Sequence, residues 1–332
     1  MKKILALFFV LLMLCACGAN EPVSGNIEEP PSEQPKNGKV VVTIGGKDYE
    51  VNIPEKTRIN DNSEGNIEIL TSSLTEPGTV IDFSGLSGCE YINSLVIKLN
   101  GEGEKLILPD LPNLSYCEIY GNAPELIDAS AMKDYTTLSL SDVLPDKIDI
   151  GSGPESIVLG YGFDLSKLSG AENVKNVTIH GNADLSKIAD MGEVESVYIF
   201  GENDNVADLE NLKSLKKLSF QAFSGDLSGI GKLSMETLVL NSDITQETID
   251  TLSESETVTE LHINDEFITK SDFLDKLPNL KTLVLSVLST SSFEAIDETQ
   301  LESLETNIPK EALKAFMEKG GEIYLIYDWS RT

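Results

Sequence analysis

The chain repeats itself at a period near 21 residues, and that period limits its fold more than any other feature. Val206, Leu209, Leu212, Leu215, Leu218 and Phe220 show the unit: an apolar residue at every third position, then one step of two. The same spacing fits Leu86 to Ile97, Leu108 to Ile119, Leu185 to Ile199 and Leu274 to Leu285. Weaker copies end at Leu138/Leu140, Ile157/Leu159, Val177/Ile179, Leu238/Leu240 and Leu261/Ile263. The ten steps of two begin at residues 95, 117, 138, 157, 177, 197, 218, 238, 261 and 283, so consecutive copies lie 19 to 23 residues apart.

A step of two is a short strand with both apolar side chains on one face. A run of threes suits a 3₁₀ or tight helical segment returning on the opposite side. About 21 residues are too few for a separate strand–helix–strand crossover, which takes roughly 30. They are enough for one coil of a solenoid, whose apolar face is covered only by its neighbours. Asn100, Asn122 and Asn182 fall three residues after the second strand apolar, where an inward amide can bond the backbone of the turn, coil after coil. Asp243 and Glu266 replace it elsewhere, and Val143, Phe223 and Leu288 cannot serve, so this ladder is broken. A three-sided parallel β-helix has a similar period, although the threefold spacing argues against it.

Stretches such as Leu212-Lys-Ser-Leu-Lys-Lys-Leu-Ser-Phe220 and Leu277-Pro-Asn-Leu-Lys-Thr-Leu-Val-Leu285 resemble leucine-rich repeats, with the period of the internalin-like bacterial subclass. Asp184-Leu-Ser-Lys-Ile and Asp208-Leu-Glu-Asn-Leu resemble that subclass's aspartate–aliphatic segment. The resemblance covers residues 76–306 and implies an α/β solenoid, a leucine-rich-repeat horseshoe of about ten repeats with a parallel concave sheet, capped at both ends. Lys39–Ile44 and Asp48–Ile53, joined by Gly45-Gly46-Lys47, read as a hairpin and place an N-terminal cap over 39–75. Pro309–Lys319 reads as a helix, followed by a strand over Ile323–Tyr327 and Trp329, which places a C-terminal cap over 307–332.

The beginning of the chain carries an address. Lys2 and Lys3 precede an apolar run, Ile4–Leu14, too short to span a bilayer as a helix, which needs ~20 residues. It closes on Leu14-Cys-Ala-Cys17-Gly18, which resembles a bacterial lipobox. The resemblance makes 1–16 a lipoprotein signal peptide and Cys17 the lipidated first residue of the mature chain. It implies a secreted protein held on the outer face of the bacterial cell membrane. Residues 17–38, with Pro22, Pro30, Pro31, Pro35 and four glutamates, read as a disordered acidic tether.

The formal net charge is -30, from 55 acidic against 25 basic residues, which disfavours a nucleic-acid partner. No phosphate loop, nucleophile elbow or complete dinucleotide loop occurs, so neither a cofactor nor an enzyme is expected. His180 and His262 are four coils apart, about 19 Å at ~4.8 Å per strand, and no metal site is expected from them. Asn203–Asp208 could hold calcium but reads more simply as a solvated turn. Cys89 and Cys117 occupy apolar positions and are expected as free core thiols.

The residues between and beside the inward strand apolars face out along the expected concave face. In thirty such positions only Lys98, Glu118, Lys217 and Glu260 are charged, and they cancel. Tyr116, Glu118, Tyr120, Tyr161, Thr178, His180, Tyr198 and Phe200 form the candidate ligand-binding set, since low charge with clustered aromatics suits an interface core. The expectation is a non-catalytic surface lipoprotein binding a protein or glycan through that face. The alternatives are an adhesion or structural component using its caps or convex side and, more remotely, a carbohydrate hydrolase.

Overall fold

The computed structural model describes residues 37–332 apart from 55–56, 63, 72–78, 101–102, 104, 134, 142, 203–205, 265–267, 269, 287–300, 307–312, 319 and 326–332. The signal peptide, Cys17, most of the tether, Glu266, Leu288, Trp329 and Asn203-Asp204-Asn205 therefore lie outside the described residues. In chain order the strands begin β1 (Asn37–Ile44), β2 (Lys47–Pro54), β3 (Arg58–Asp61), β4 (Asn66–Leu70), β5 (Val80–Asp82), β6 (Ser94–Leu99) and β7 (Lys105–Ile107). They continue with β8 (Tyr116–Gly121), β9 (Leu126–Asp128), β10 (Thr137–Ser141), β11 (Lys147–Asp149), β12 (Ser156–Leu159), β13 (Leu168–Ser169) and β14 (Asn176–His180). The last seven are β15 (Ser196–Phe200), β16 (Lys217–Gln221), β17 (Thr237–Asn241), β18 (Glu260–Asn264), β19 (Thr282–Ser286), β20 (Ser303–Thr306) and β21 (Glu322–Leu325).

A long sheet of fourteen strands runs β3-β4-β6-β8-β10-β12 and then β14 to β21 in sequence, and all its pairings are parallel except β3 with β4. Its register follows the repeat. Leu95, Cys117, Leu138, Ile157, Val177, Val197, Leu218, Leu238, Leu261 and Leu283 pair in one unbroken column. All of them are inside the core, at 0–1% exposure. Slipping one strand by a single residue would turn its buried pair to solvent, so burial opposes any slip of register.

The sheet extends past residues 76–306 in both directions. β4 adds inward Ile67 and Ile69, β20 adds Leu304, and β21 adds Ile323, so thirteen parallel strands are present among the described residues. The step of two at Ile67 and Ile69 has no preceding run of threes, which hid it from the repeat pattern. The β1–β2 hairpin joins the opposite, seven-stranded sheet, while β3 and β4 form the hairpin that begins the long one. At the other end a short helix, α2 (Lys314–Glu318), precedes β21, which pairs with β20 as one more parallel strand.

The returning side of the first coils departs from the expected 3₁₀ or tight helical segments. β5, β7, β9, β11 and β13 make a second parallel ladder that continues the β1–β2 hairpin. Later coils return instead through 3₁₀ segments such as Leu185–Met191, Val206–Asn211 and Asp272–Lys276, and through α1 (Gln246–Asp250). Side-chain spacing explains the switch. Ile81/Phe83, Leu106/Leu108, Ile127/Ala129 and Ile148/Ile150 are buried at intervals of two, whereas Leu185/Ile188/Met191 and Val206/Leu209/Leu212 are buried at intervals of three.

An aspartate caps many of these returning turns. Asp82, Asp128, Asp164, Asp184 and Asp226 each accept the backbone N–H of the serine two residues on, at 2.7–3.2 Å. The asparagine ladder lies elsewhere than the pattern suggested. Asn100 does donate to the Thr71 carbonyl at 2.8 Å, but Asn122 and Asn182 are exposed. Val143, Phe223 and Ile244, all at 0% exposure, fill the equivalent turns with apolar volume. Amide bonds between coils come from the turn entering the strand, where Asn93, Asn113, Asn173 and Asn279 donate to the carbonyls of Glu64, Glu90, Ser152 and Glu256. Cys89 and Cys117 are buried free thiols, and burial pushes the Cys117 thiol up to about 12. No helix among the described residues is long and apolar enough to cross a membrane.

Five strands of the long sheet end at a left-handed residue: Gly121, Gly181, Gly201, Ala222 and Ser242 have φ of 97, 79, 83, 51 and 53°, and Asp243 follows Ser242 at 61°. A Cβ at Gly121 would lie 2.2 Å from the Leu99 carbonyl oxygen. Gly121→Ala should therefore lower stability by at least ~2 kcal/mol, while Ala222→Gly should stay within ~1 kcal/mol of the parent on the stabilising side. Urea unfolding midpoints check both.

The caps also set an acid response. Hydrogen bonds from Lys105 and Ser130 hold the Asp128 carboxyl below its ordinary value, and those from Ser228 do the same for Asp226. A lowered native value stabilises the fold above the unfolded aspartate range near pH 4, and that stability is lost as pH falls through the native value. Melting temperatures between pH 5 and 2 should fall less steeply for Asp128→Asn than for the parent.

Candidate functional site on the outward face of the long sheet

Most long-sheet strands put two apolar side chains into the core and direct the others to the opposite face, where Ser139, Ser219 and Val239 are covered by their neighbours, and the register aligns these outward positions into columns. Val96, Glu118, Ser139, Val158, Thr178, Tyr198, Ser219, Val239, His262 and Val284 share the central column. The added strands extend it with Glu68 at one end and Glu305 and Tyr324 at the other, and Glu322 lies in the column beside it. The expected charge balance of this face is thus corrected. Lys98, Glu118, Lys217 and Glu260 are joined by Arg58, Glu68, Glu305 and Glu322, which makes the face acidic toward β18–β21. Between Glu118 on β8 and Lys217 on β16, the outward positions of β10, β12, β14 and β15 carry no aspartate, glutamate, lysine or arginine.

At one margin of this uncharged tract the rings meet. His180 and Phe200 are register partners on β14 and β15, and strands ~4.8 Å apart force their rings to stack. Their centroids are 4.4 Å apart with planes at 9°. Tyr198 tilts against Phe200 at 4.6 Å, and Tyr161 against His180 at 5.8 Å, so four rings run across three strands' worth of surface. Tyr161 leaves the turn after β12 and lies over Gly181, where a Cβ would fall 2.6 Å from its ring. Glycine at 181 thus serves both the left-handed turn and the ring's seat. The Tyr198 hydroxyl donates to Gln221 Oε1 at 2.5 Å, and burial raises its phenol. Tyr161 remains 63% exposed. Thr178 pairs with Tyr198 beside the stack.

Tyr116, Glu118 and Tyr120 stand apart from that run. They share β8, three strand spacings or roughly 14 Å from β14. The Tyr116 hydroxyl donates to Glu118 Oε2 at 3.1 Å. The Lys98 ammonium lies 5.6 Å from the Tyr120 ring centre, and burial, with Glu68 and Glu118 nearby, raises the Tyr120 phenol. The eight sequence-chosen residues therefore form two groups rather than one patch.

A third arrangement escaped the sequence reading. His262 Nε2 lies 2.7 Å from Glu260 Oε1, and Thr237 Oγ1 donates to Glu260 Oε2 at 3.1 Å. Partial burial pushes the Glu260 carboxyl up, but His262 and Thr237 outweigh it and hold the group below its ordinary value. The signal was present, since residues two apart on a strand share a face. Among the described residues no three His, Cys, Asp or Glu side chains gather closely enough to hold a metal ion.

The ring system has measurable weight. Tyr198→Phe keeps the stack and loses one hydrogen bond, and should cost ~0.5–1.5 kcal/mol in chemical denaturation. His180→Ser removes a stacked pair and should cost a similar ~0.5–1.5 kcal/mol.

The chain matches no protein-family model and no curated protein. Among solved structures it is similar to an internalin from Listeria monocytogenes at 14% identity, covering 77% of this chain and 82% of that one with a TM-score of 0.31. The assignment of a stacked parallel solenoid rests on the strand register itself.

Proposed function

We propose that this is a non-catalytic binding protein, displayed on the bacterial surface by a lipid on Cys17, that takes a protein ligand on the outward face of its long sheet. The observation that carries the reading is the run Tyr161–His180–Phe200–Tyr198, set in an uncharged tract of a chain whose formal net charge is -30. Rings already packed against one another present apolar area at little further ordering cost, as interface centres do. Glycans stack on exposed aromatics too, so a glycan array belongs in the same screen. The hydroxyl and carboxyl groups of the Glu260–His262–Thr237 cluster bond to one another, which favours a scaffold role for them over catalysis.

The test uses cells expressing the full chain, probed with arrays of extracellular proteins and glycans. Tyr198→Ser/Phe200→Ser, matched in melting temperature, should lose at least tenfold in capture of any hit. A hit kept at parental strength would contradict the reading and move the contact to the returning side or the ends. Cys17→Ser should release the chain from the membrane fraction into the medium; unchanged membrane retention would contradict the anchor.

A further inference from the structure

We infer that the partner of this face is a cationic protein segment, seated with its apolar side chains on the Tyr198–Phe200 rings and its Lys or Arg side chains toward β18–β21. The inference rests on the binding reading above and adds the chemistry of the partner. The outward columns are uncharged over β10–β15 and become acidic beyond them, with Glu260 on β18, Glu305 on β20 and Glu322 on β21. Glu305 and Glu322 are exposed, and neither forms an ion pair with a cation among the described residues; the Glu322 carboxylate accepts the Tyr324 hydroxyl at 2.7 Å. Tyr324 itself is 55% exposed and stands in the central column, so the acidic end also offers an aromatic surface. Lys217 on β16 is the one outward lysine or arginine from β10 to β21 among the described residues, and it lies between the rings and the carboxylates.

Six strand spacings separate β15 from β21, roughly 29 Å, a distance that an extended segment of about nine residues covers. Such a segment crosses the strands, with apolar contact at one end and the carboxylates of β18–β21 at the other. The formal net charge of -30 steers it to the surface, and the local carboxylates set its direction. A neutral or acidic segment would leave these carboxylates either unpaired under the interface or facing like charge.

The probes are three fluorescent twelve-residue peptides of equal aromatic content, carrying four lysines, four glutamates or four serines. Each is titrated by anisotropy against the full chain in detergent at 50 and 300 mM salt. The lysine peptide should bind at least tenfold more tightly than the other two, and weaken with salt. Glu260→Gln/Glu305→Gln/Glu322→Gln should weaken it at least tenfold. Glu172→Gln/Glu193→Gln/Glu210→Gln makes the same charge change at exposed turns and should weaken it less than twofold. Equal loss in the two triple variants would overturn the inference, as net charge alone would then explain binding. Equal affinity for the lysine and serine peptides, with both lost in Phe200→Ser, would overturn the cationic partner while leaving the face as the binding site. Loss in the first triple variant with none in Phe200→Ser would overturn the seating on the rings and the face reading with it.

Discussion

The parallel register of the inward strand pairs is what everything else depends on. Each coil adds an inward strand pair and a few returning-side apolars, such as Val197 and Ile199 with Leu185 and Ile188, that stay covered only while coils stack above and below, so no coil is stable on its own. Because side chains alternate along a strand, holding Val197 and Ile199 in the core also commits Ser196, Tyr198 and Phe200 to the opposite face. Because neighbouring strands pair without offset, His180 is brought beside Phe200 and Thr178 beside Tyr198. The candidate site is thus a consequence of how the core is packed, and no loop has to close to make it.

The strands were legible because their signal is local and periodic. All ten steps of two lie in β6, β8, β10, β12 and β14 to β19, and the outward columns follow from the sequence alone. The returning side was less legible because a threefold and a twofold spacing differ by one residue, and each coil chose between them separately. Phe83, Leu108, Ala129 and Ile150 are two residues from their buried partners, just past the returning strands, a spacing that a ruler of apolar residues at threes passes over. The turns misled for another reason. An asparagine bonds the neighbouring coil only where a backbone carbonyl of that coil lies within reach; Asn113 and Asn279, in the turn that enters the strand, meet the carbonyls of Glu90 and Glu256.

The face itself was half legible. Its uncharged middle and the ring pairing follow from strand register alone. Its acidic end did not, because Glu305 and Glu322 sit on strands that lack the repeat's run of threes and join the sheet only through tertiary pairing. Tyr116 and Tyr120 illustrate the reverse error: they are near the ring run in column but three strand spacings away across the sheet. What results is a face with a direction, aromatic and uncharged in the middle and anionic toward β21, on a protein whose overall charge already favours cationic partners.

The register can be tested on its own by paired cysteines at positions outside the rings. Ser156 and Asn176 are register partners on β12 and β14, and parallel neighbours about 4.8 Å apart lie within disulfide reach. Thr178 is two residues further along, which places it roughly 8 Å from Ser156 and out of reach. The measurement is the yield of intramolecular disulfide under mild oxidation in Ser156→Cys/Asn176→Cys against Ser156→Cys/Thr178→Cys, with the buried Cys89 and Cys117 as internal controls. Rapid cross-linking of the first pair and little of the second is the expected result. Cross-linking of the offset pair with none of the first would contradict the register, and with it the assignment of every residue to the outward face.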